Sequence, residues 1–316
     1  MKNTVNNWTY LVFVIVLLFV ITNSCKKHDT FSKNDPVITW VNPTDINFGT
    51  LLSSLQLNAT IDVPGIVVYT PEIGTKLNVG ENQDLRVDFM PTDFENYNAA
   101  TKKVKINVLP PITVTDIDGN LYQTVTIGKQ VWMAENLKVT KYRNGDNIPM
   151  VSDASWWNLS TGALCNYDNN TNIGNTFGKL YNWYAVNDTR KLAPTGWHIP
   201  TEAEWTKLEN FVGANLGISG SIAKALASKT EWTLDNHGGA IGNNLTLNNT
   251  SGFTALPSGY RHNGTYMNIG IGTGLWSSDE YDWSSAWRRY LGSTYNNLGS
   301  YNIIKVDGFS VRCIRD

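Results

Sequence analysis

From Asp35 to Leu109 the apolar residues recur at every second position, in runs too short to make a helix. Val104, Ile106 and Val108 alternate with Lys103, Lys105 and Asn107, and Leu85, Val87 and Phe89 alternate with Asp84, Arg86 and Asp88. That is the period of a strand with one face in a core and the other in water. Two further runs rich in β-branched residues, Val37–Val41 and Gly65–Thr70, belong to the same set. Turn residues fall between the runs at Asn42-Pro43, Pro64-Gly65, Gly80-Glu81-Asn82 and Pro91-Thr92-Asp93. Short strands at regular spacing predict a small all-β sandwich over residues 36–109. Pro110-Pro111 marks its end, because neither residue carries an N–H and both favour extended backbone.

Residues 112–316 read as a different kind of domain. Ten of the 12 tryptophans lie at or after Trp132, and so large a side chain serves either a core or a flat binding face. Asp118-Gly119 sits between two alternating runs and predicts a hairpin turn. Tyr122–Gly128 and Gln130–Leu137 read as further strands. Thr201, followed three residues later by Glu204, forms a capping box: the threonine hydroxyl accepts the N3 amide and the carboxylate reaches back to the cap amide. Pro200 is placed to pack on Trp205. Trp205, Leu208, Phe211 and Val212 share one helix face, and Gly213 predicts the helix end. Ser221–Lys229 reads as a second helix, and short β runs separated by Asn/Gly-rich loops follow it. The expected class is α+β. Thr201 and Glu204 thus have a structural task, and Glu202 sits where the helix dipole favours a carboxylate. His198, held extended before Pro200, reads as a hydrogen-bonded structural residue.

The chain carries a net charge of −2 and only 16% charged residues, against about a quarter in a typical domain. That balance suits an extracellular β-rich surface and leaves no electrostatic footprint for nucleic acid. Catalysis finds little to stand on. There is no G-x-S-x-G, and His198, His237 and His262 lie in unrelated contexts. Without a CxxC, an HExxH or a Cys/His cluster, a zinc site is unsupported. No catalytic residue is assigned. Asp116, Asp118 and Asn120 have the look of part of a calcium loop, but the late glutamate of such a loop is missing. A plain hairpin turn is the other reading, and calcium is the one cofactor left open. Three acids within Trp276–Trp283 read as a solvated rim.

Trp156, Trp157 and Tyr167 lie in an Asn-rich, loop-like stretch. Neighbouring residues of a strand face opposite sides, so one indole is placed for exposure. An exposed indole beside Asn and Asp side chains is the usual physics of a sugar- or peptide-binding patch. Partial burial of both in a loop-rich core is the alternative.

The chain opens with Lys2 and an apolar run from Leu11 to Ile21. At ~1.5 Å per residue this run covers about half of a ~30 Å bilayer core, which fits a secretory signal peptide. Thr22-Asn23-Ser24-Cys25 resembles the lipobox of bacterial lipoproteins, with Thr22 where leucine is usual. The resemblance implies a signal peptide over residues 1–24, lipid attachment at Cys25 with the membrane as partner, and a polar tether over residues 25–35. Setting Cys25 aside leaves Cys165 and Cys313, and an even number in an oxidising compartment favours a disulfide between them. Two separate buried thiols are the alternative.

Residues 38–50, 57–60 and 63–97 resemble the bacterial Ig-like repeats of large surface proteins, which implies a spacer or adhesion module without chemistry. The segments DIDGNLYQTVTIGKQVWMAENLKV, GKLYNWYAV, LAPTGWHIPTEAEWTKLENFVG, SGFTALPSGYR, LWSSDEYD and GFSVRCIRD resemble, in order, the FISUMP family, the major paralogous domain first named from Fibrobacter succinogenes. PTEAEW and GFSVRC also resemble motifs of the formylglycine-generating enzymes. That implies a C-type lectin-like fold with its ends on neighbouring strands. The enzyme's closely spaced cysteine pair is absent, and so are the E-P-N, Q-P-D and W-N-D segments of calcium-dependent lectins. The expectation is therefore an all-β Ig-like sandwich followed by an α+β C-type lectin-like domain. It would be a non-catalytic binding or adhesion protein for a glycan or surface-protein ligand. Its expected place is the bacterial cell envelope, as an outer-membrane lipoprotein facing the periplasm or the surface. A structural or assembly component, or an oxidase of the formylglycine-generating type, are the alternatives.

Overall fold

A computed structural model describes residues 32–110, 112–216 and 220–316. The expected signal peptide, Cys25 and most of the expected tether lie outside the described residues. Among the described residues no helix is long and apolar enough to cross a membrane.

The first region holds six strands: β1 (Ile38–Thr39), β2 (Ile46–Asn47), β3 (Thr60–Ile61), β4 (Gly65–Thr70), β5 (Gly80–Pro91) and β6 (Ala100–Leu109). β1 and β3 pair, and the other four form a sheet in the order β2-β6-β5-β4. The period-two alternation is realised. Leu85, Val87 and Phe89 of β5 and Val104, Ile106 and Val108 of β6 are all buried, and Ile38 of β1 and Trp40 just after it join the same core. One expectation is corrected. Gly80-Glu81-Asn82 is no turn between strands; it lies inside β5, where the register shifts between Gly80 and Gln83. Asn82 takes a φ of 54° there, a left-handed conformation that asparagine tolerates better than most residues. A bulge of this kind takes up one extra residue without ending the strand.

The second region holds β7 (Thr113–Thr115), β8 (Leu121–Ile127), β9 (Gln130–Met133), β10 (Leu164–Cys165), β11 (Leu180–Tyr181), β12 (Trp197–His198), β13 (Ser258–His262), β14 (Thr265–Ile269), β15 (Gly272–Glu280), β16 (Ser285–Gly292), β17 (Gly299–Ile304) and β18 (Ile314–Arg315). Its helices are α1 (Thr171–Phe177), α2 (Trp183–Val186), α3 (Glu202–Asn215) and α4 (Ile222–Leu226). The two larger sheets run β12-β18-β9-β8-β7 and β14-β13-β15-β16-β17. The strand at the end of the region thus pairs with one near its start, Ile314 against Trp132. Several strands are buried on both faces and serve two cores. Val131, Met133, Trp276 and Cys313 enter one, while Trp132, Leu275 and Ile314 enter the other.

Two helix ends are corrected. α3 continues through Gly213 to Asn215. α4 stops at Leu226, well before Lys229, because Ala227 turns extended and bridges to Ala255. The regions also touch. Asn47 donates to Thr126 (3.2 Å), Ser54 Oγ and Asn215 Oδ1 are 3.1 Å apart, and Leu51 packs on the second region's core. A cavity of about 620 Å³ lies at this junction, lined by Phe48, Lys76, Gln123, Lys229, Asn249 and Thr254 among others.

Candidate functional site

The capping box forms as expected. Glu204 N donates to Thr201 Oγ1 (3.3 Å), and Thr201 N donates to Glu204 Oε2 (2.9 Å). The other oxygen of Glu204 meets His198 Nε2 at 2.9 Å, and His198 Nδ1 meets Asp316 at 2.7 Å. Burial works against a charged ring, but the Asp316 and Glu204 contacts outweigh it and raise the His198 pKa. Burial likewise opposes ionisation of Glu204, and the Thr201 amide and His198 overcome it, holding its pKa below the usual range. This stretch is a joint between helix, strand and the end of β18.

Asp116 and Asp118 are also committed within the protein. Asp116 accepts from the amides of Asp118 and Asn120, from the Asn120 side chain and from Tyr122 Oη (2.6 Å). Asp118 accepts from the Thr140 amide and hydroxyl. The segment is the hairpin turn joining β7 to β8, with Gly119 at a φ of 83°. Among the described residues no group of three or more His, Cys, Asp or Glu is placed to hold a metal ion.

Trp156, Trp157 and Tyr167 do not make one face. Trp156 is 1% exposed and donates its Nε1–H to the Val306 carbonyl at 2.7 Å. Tyr167 is buried against Tyr266. Only Trp157 is open, at 41%. The cause is Arg261 on β13. It lies 4.7 Å from the Trp156 ring and 5.1 Å from that of Tyr266. Its Nη1 donates to the Val151 carbonyl, and its Nη2 to those of Ser152 and Asp153. A buried guanidinium whose Nη1 and Nη2 meet three carbonyls, with only Nε left without a partner, fastens this loop to the sheet. The expected patch is a fastening point.

The disulfide is also corrected. Cys165 and Cys313 are free, buried thiols. They belong to different core clusters, one with Trp156 and Leu180, the other with Met133 and Trp276. Burial pushes both thiols upward, away from the thiolate. Even cysteine number carried no spatial information here.

An unforeseen cluster lies on the other face of the same sheet. β13 sends Tyr260 to the side opposite Arg261, and β16 sends Arg288 and Tyr290 the same way. Tyr290 is 6.4 Å from Tyr260, 5.9 Å from Tyr295 and 6.5 Å from Tyr301, centroid to centroid. Tyr295 and Tyr301 are nearly half exposed. Asn268, at a φ of 62°, donates its amide to Tyr260 Oη (3.1 Å) and Tyr290 Oη (3.4 Å). Arg288 lies amid these rings, 4.9 Å from Tyr290 and Phe309, 5.4 Å from Tyr301 and 5.9 Å from Tyr260. Burial lowers its pKa, though the tyrosines and Asp307 work the other way. Asp307 is itself buried, pairs with His262 at 2.7 Å, and is pushed up to about 6 by loss of water. Flat rings, hydroxyls, an amide and a cation together can stack on a sugar and bond its hydroxyls. The alternation in SAWRRYLG separates Arg288 from Arg289, but nothing local says which of the two meets acids.

Residues 125–315 match the family model described as the Fibrobacter succinogenes major domain. No curated protein matches the chain. No solved structure matches it either.

Proposed function

The chain belongs to the Fibrobacter succinogenes major domain family, and from that premise we propose a lipid-anchored cell-envelope protein whose second region binds glycan without catalysis. In this reading the Cys25 lipid fixes the chain to the membrane, and the tether and the Ig-like spacer formed by the first region hold the second, a C-type lectin-like module, away from it. The observation that carries the binding role is the tyrosine cluster of Tyr260, Tyr290, Tyr295 and Tyr301, with its hydroxyls met by Asn268. Partly exposed rings with a polar rim suit the apolar face and the hydroxyls of a pyranose. The non-catalytic part draws support from Cys165 and Cys313, which sit in separate cores with their thiols held protonated. The test is retention of the purified protein on a panel of immobilised polysaccharides. Retention should be lost in Tyr301→Ala and kept in Trp157→Ala. A protein retained by none of them, or retained equally well by Tyr301→Ala, would remove this reading.

A further inference from the structure

The second region repeatedly buries cations and gives each one acceptors. Lys224 is surrounded by the carbonyls of Ala240, Ile241, Asn243 and Asn244. Arg312, fully buried, donates to Asn136 Oδ1 and to the carbonyls of Phe253 and Thr254. Arg289 pairs with Glu202 (2.8 Å) and Glu209 (2.9 Å). Arg288 departs from this rule. Among the described residues it has neither an ion pair nor a hydrogen bond, and its Nε and Nη1 are buried without a partner. Its surroundings are aromatic rings, which attract a cation but do not neutralise it. Withdrawing a charge from water without a counter-charge is costly, and a sequence that supplies acceptors to every comparable cation leaves this one open. The side chain as a whole is only half-buried, and Nη2, which is not among the sealed nitrogens, is the guanidinium atom through which a ligand would meet it, on the Tyr301 side.

We infer that the acceptor Arg288 lacks is the carboxylate of an acidic sugar, such as a uronate. The inference rests on the reading of this face as a glycan-binding surface and narrows it to a charge class. Three features favour a singly charged carboxylate. Arginine meets carboxylates with strong, charge-assisted hydrogen bonds. Asp307 lies within electrostatic reach of the guanidinium, which disfavours a group of higher negative charge. The rings and the Asn268 amide line the approach, so the remainder of the sugar has a face to stack on and donors for its hydroxyls.

The experiment measures binding of the purified protein to polygalacturonate, alginate and hyaluronan, each compared with its own carboxyl methyl ester. The ester keeps the sugar and deletes the charge. A charge-assisted bond predicts that at least one free acid binds about 10- to 100-fold more tightly than its ester. Arg288→Gln should remove that difference, and Arg288→Lys, which keeps the charge, should retain part of it. Thermal melts establish that each variant is folded, and the acid–ester comparison on the unaltered protein stands without any variant. Equal affinity for acid and ester, or an acid preference that survives in folded Arg288→Gln, would overturn the inference and leave the glycan reading standing. Binding to none of the acids, the esters or the polysaccharides of the wider panel would overturn both.

Discussion

Arg261 and Arg288 lie on the two faces of one sheet, each among aromatic rings, and they do opposite things. Arg261 has three carbonyl acceptors and fastens the loop that holds Trp156. Arg288 has rings and no acceptor. The residue types are alike, arginine with tyrosine or tryptophan, so composition cannot tell fastening from recognition. What separates them is how far the protein itself completes the hydrogen bonding: for Arg261 all but Nε, for Arg288 nothing. A completed cation is part of the scaffold, and an uncompleted one is an opening for something else.

The contrast can be broken most directly at the two tryptophans. Trp156→Ala should cost about 3–5 kcal/mol, as for other buried aromatics cut to alanine, while Trp157→Ala should stay within about 0.5 kcal/mol. Urea denaturation of the pair checks this, and similar losses would mean that the loop is not fastened through Trp156. Next come the arginines themselves. Arg261→Met strands buried carbonyls and should cost about 3 kcal/mol. Arg288→Met strands none and should change stability by less than about 1 kcal/mol in either direction. If both fall equally, the distinction between completed and uncompleted cations fails. Removing the threonine of the capping box is a calibration in a region of ordinary helix chemistry, and Thr201→Ala should cost about 1 kcal/mol by thermal melt.

The smallest effect sharpens the comparison with a cation that can be switched off. His198 has acceptors, Glu204 and Asp316, but it titrates. Its pKa is raised on folding, so its contribution is complete below the unfolded value of about 6.5 and disappears as pH rises through the folded value. The Glu204 pKa is lowered, so its contribution is present above the unfolded value of about 4.3 and disappears as pH falls through the folded value. His198 is more than a third exposed, and solvent screening keeps the effect small. Stability of the unaltered protein relative to His198→Gln should be greatest near pH 5–6 and converge toward pH 8. A gap that does not change with pH would remove the ion pair from the account.

Sequence reasoning reached the local features and stopped at the long-range ones. The box at Thr201 and Glu204 was legible because all its atoms lie within one helical turn, and the β5 and β6 core because period two assigns faces without reference to the rest of the chain. The Gly80–Asn82 bulge was misplaced because a strand interruption and a strand end use the same residue types. The cysteine pairing failed because parity is not proximity. The tyrosine cluster went unseen because its members come from β13, β16, β17 and the turn between the last two, and no linear motif joins them. The strand alternation used to separate Trp156 from Trp157 does not apply, because Ala154–Asn158 forms a 3-10 helix, and the buried one is fixed by Arg261, more than 100 positions later.

The pairing of Ile314 with Trp132 has a kinetic consequence. β18 lies between β12 and β9, so the edge strand β12 stays unjoined to the rest of the sheet until residue 314 has been synthesised and has found its place. Assembly of this region therefore waits on a contact that closes a very long loop, which makes folding slow by its topology. Until then β9, paired only with β8, presents one open edge to the surroundings.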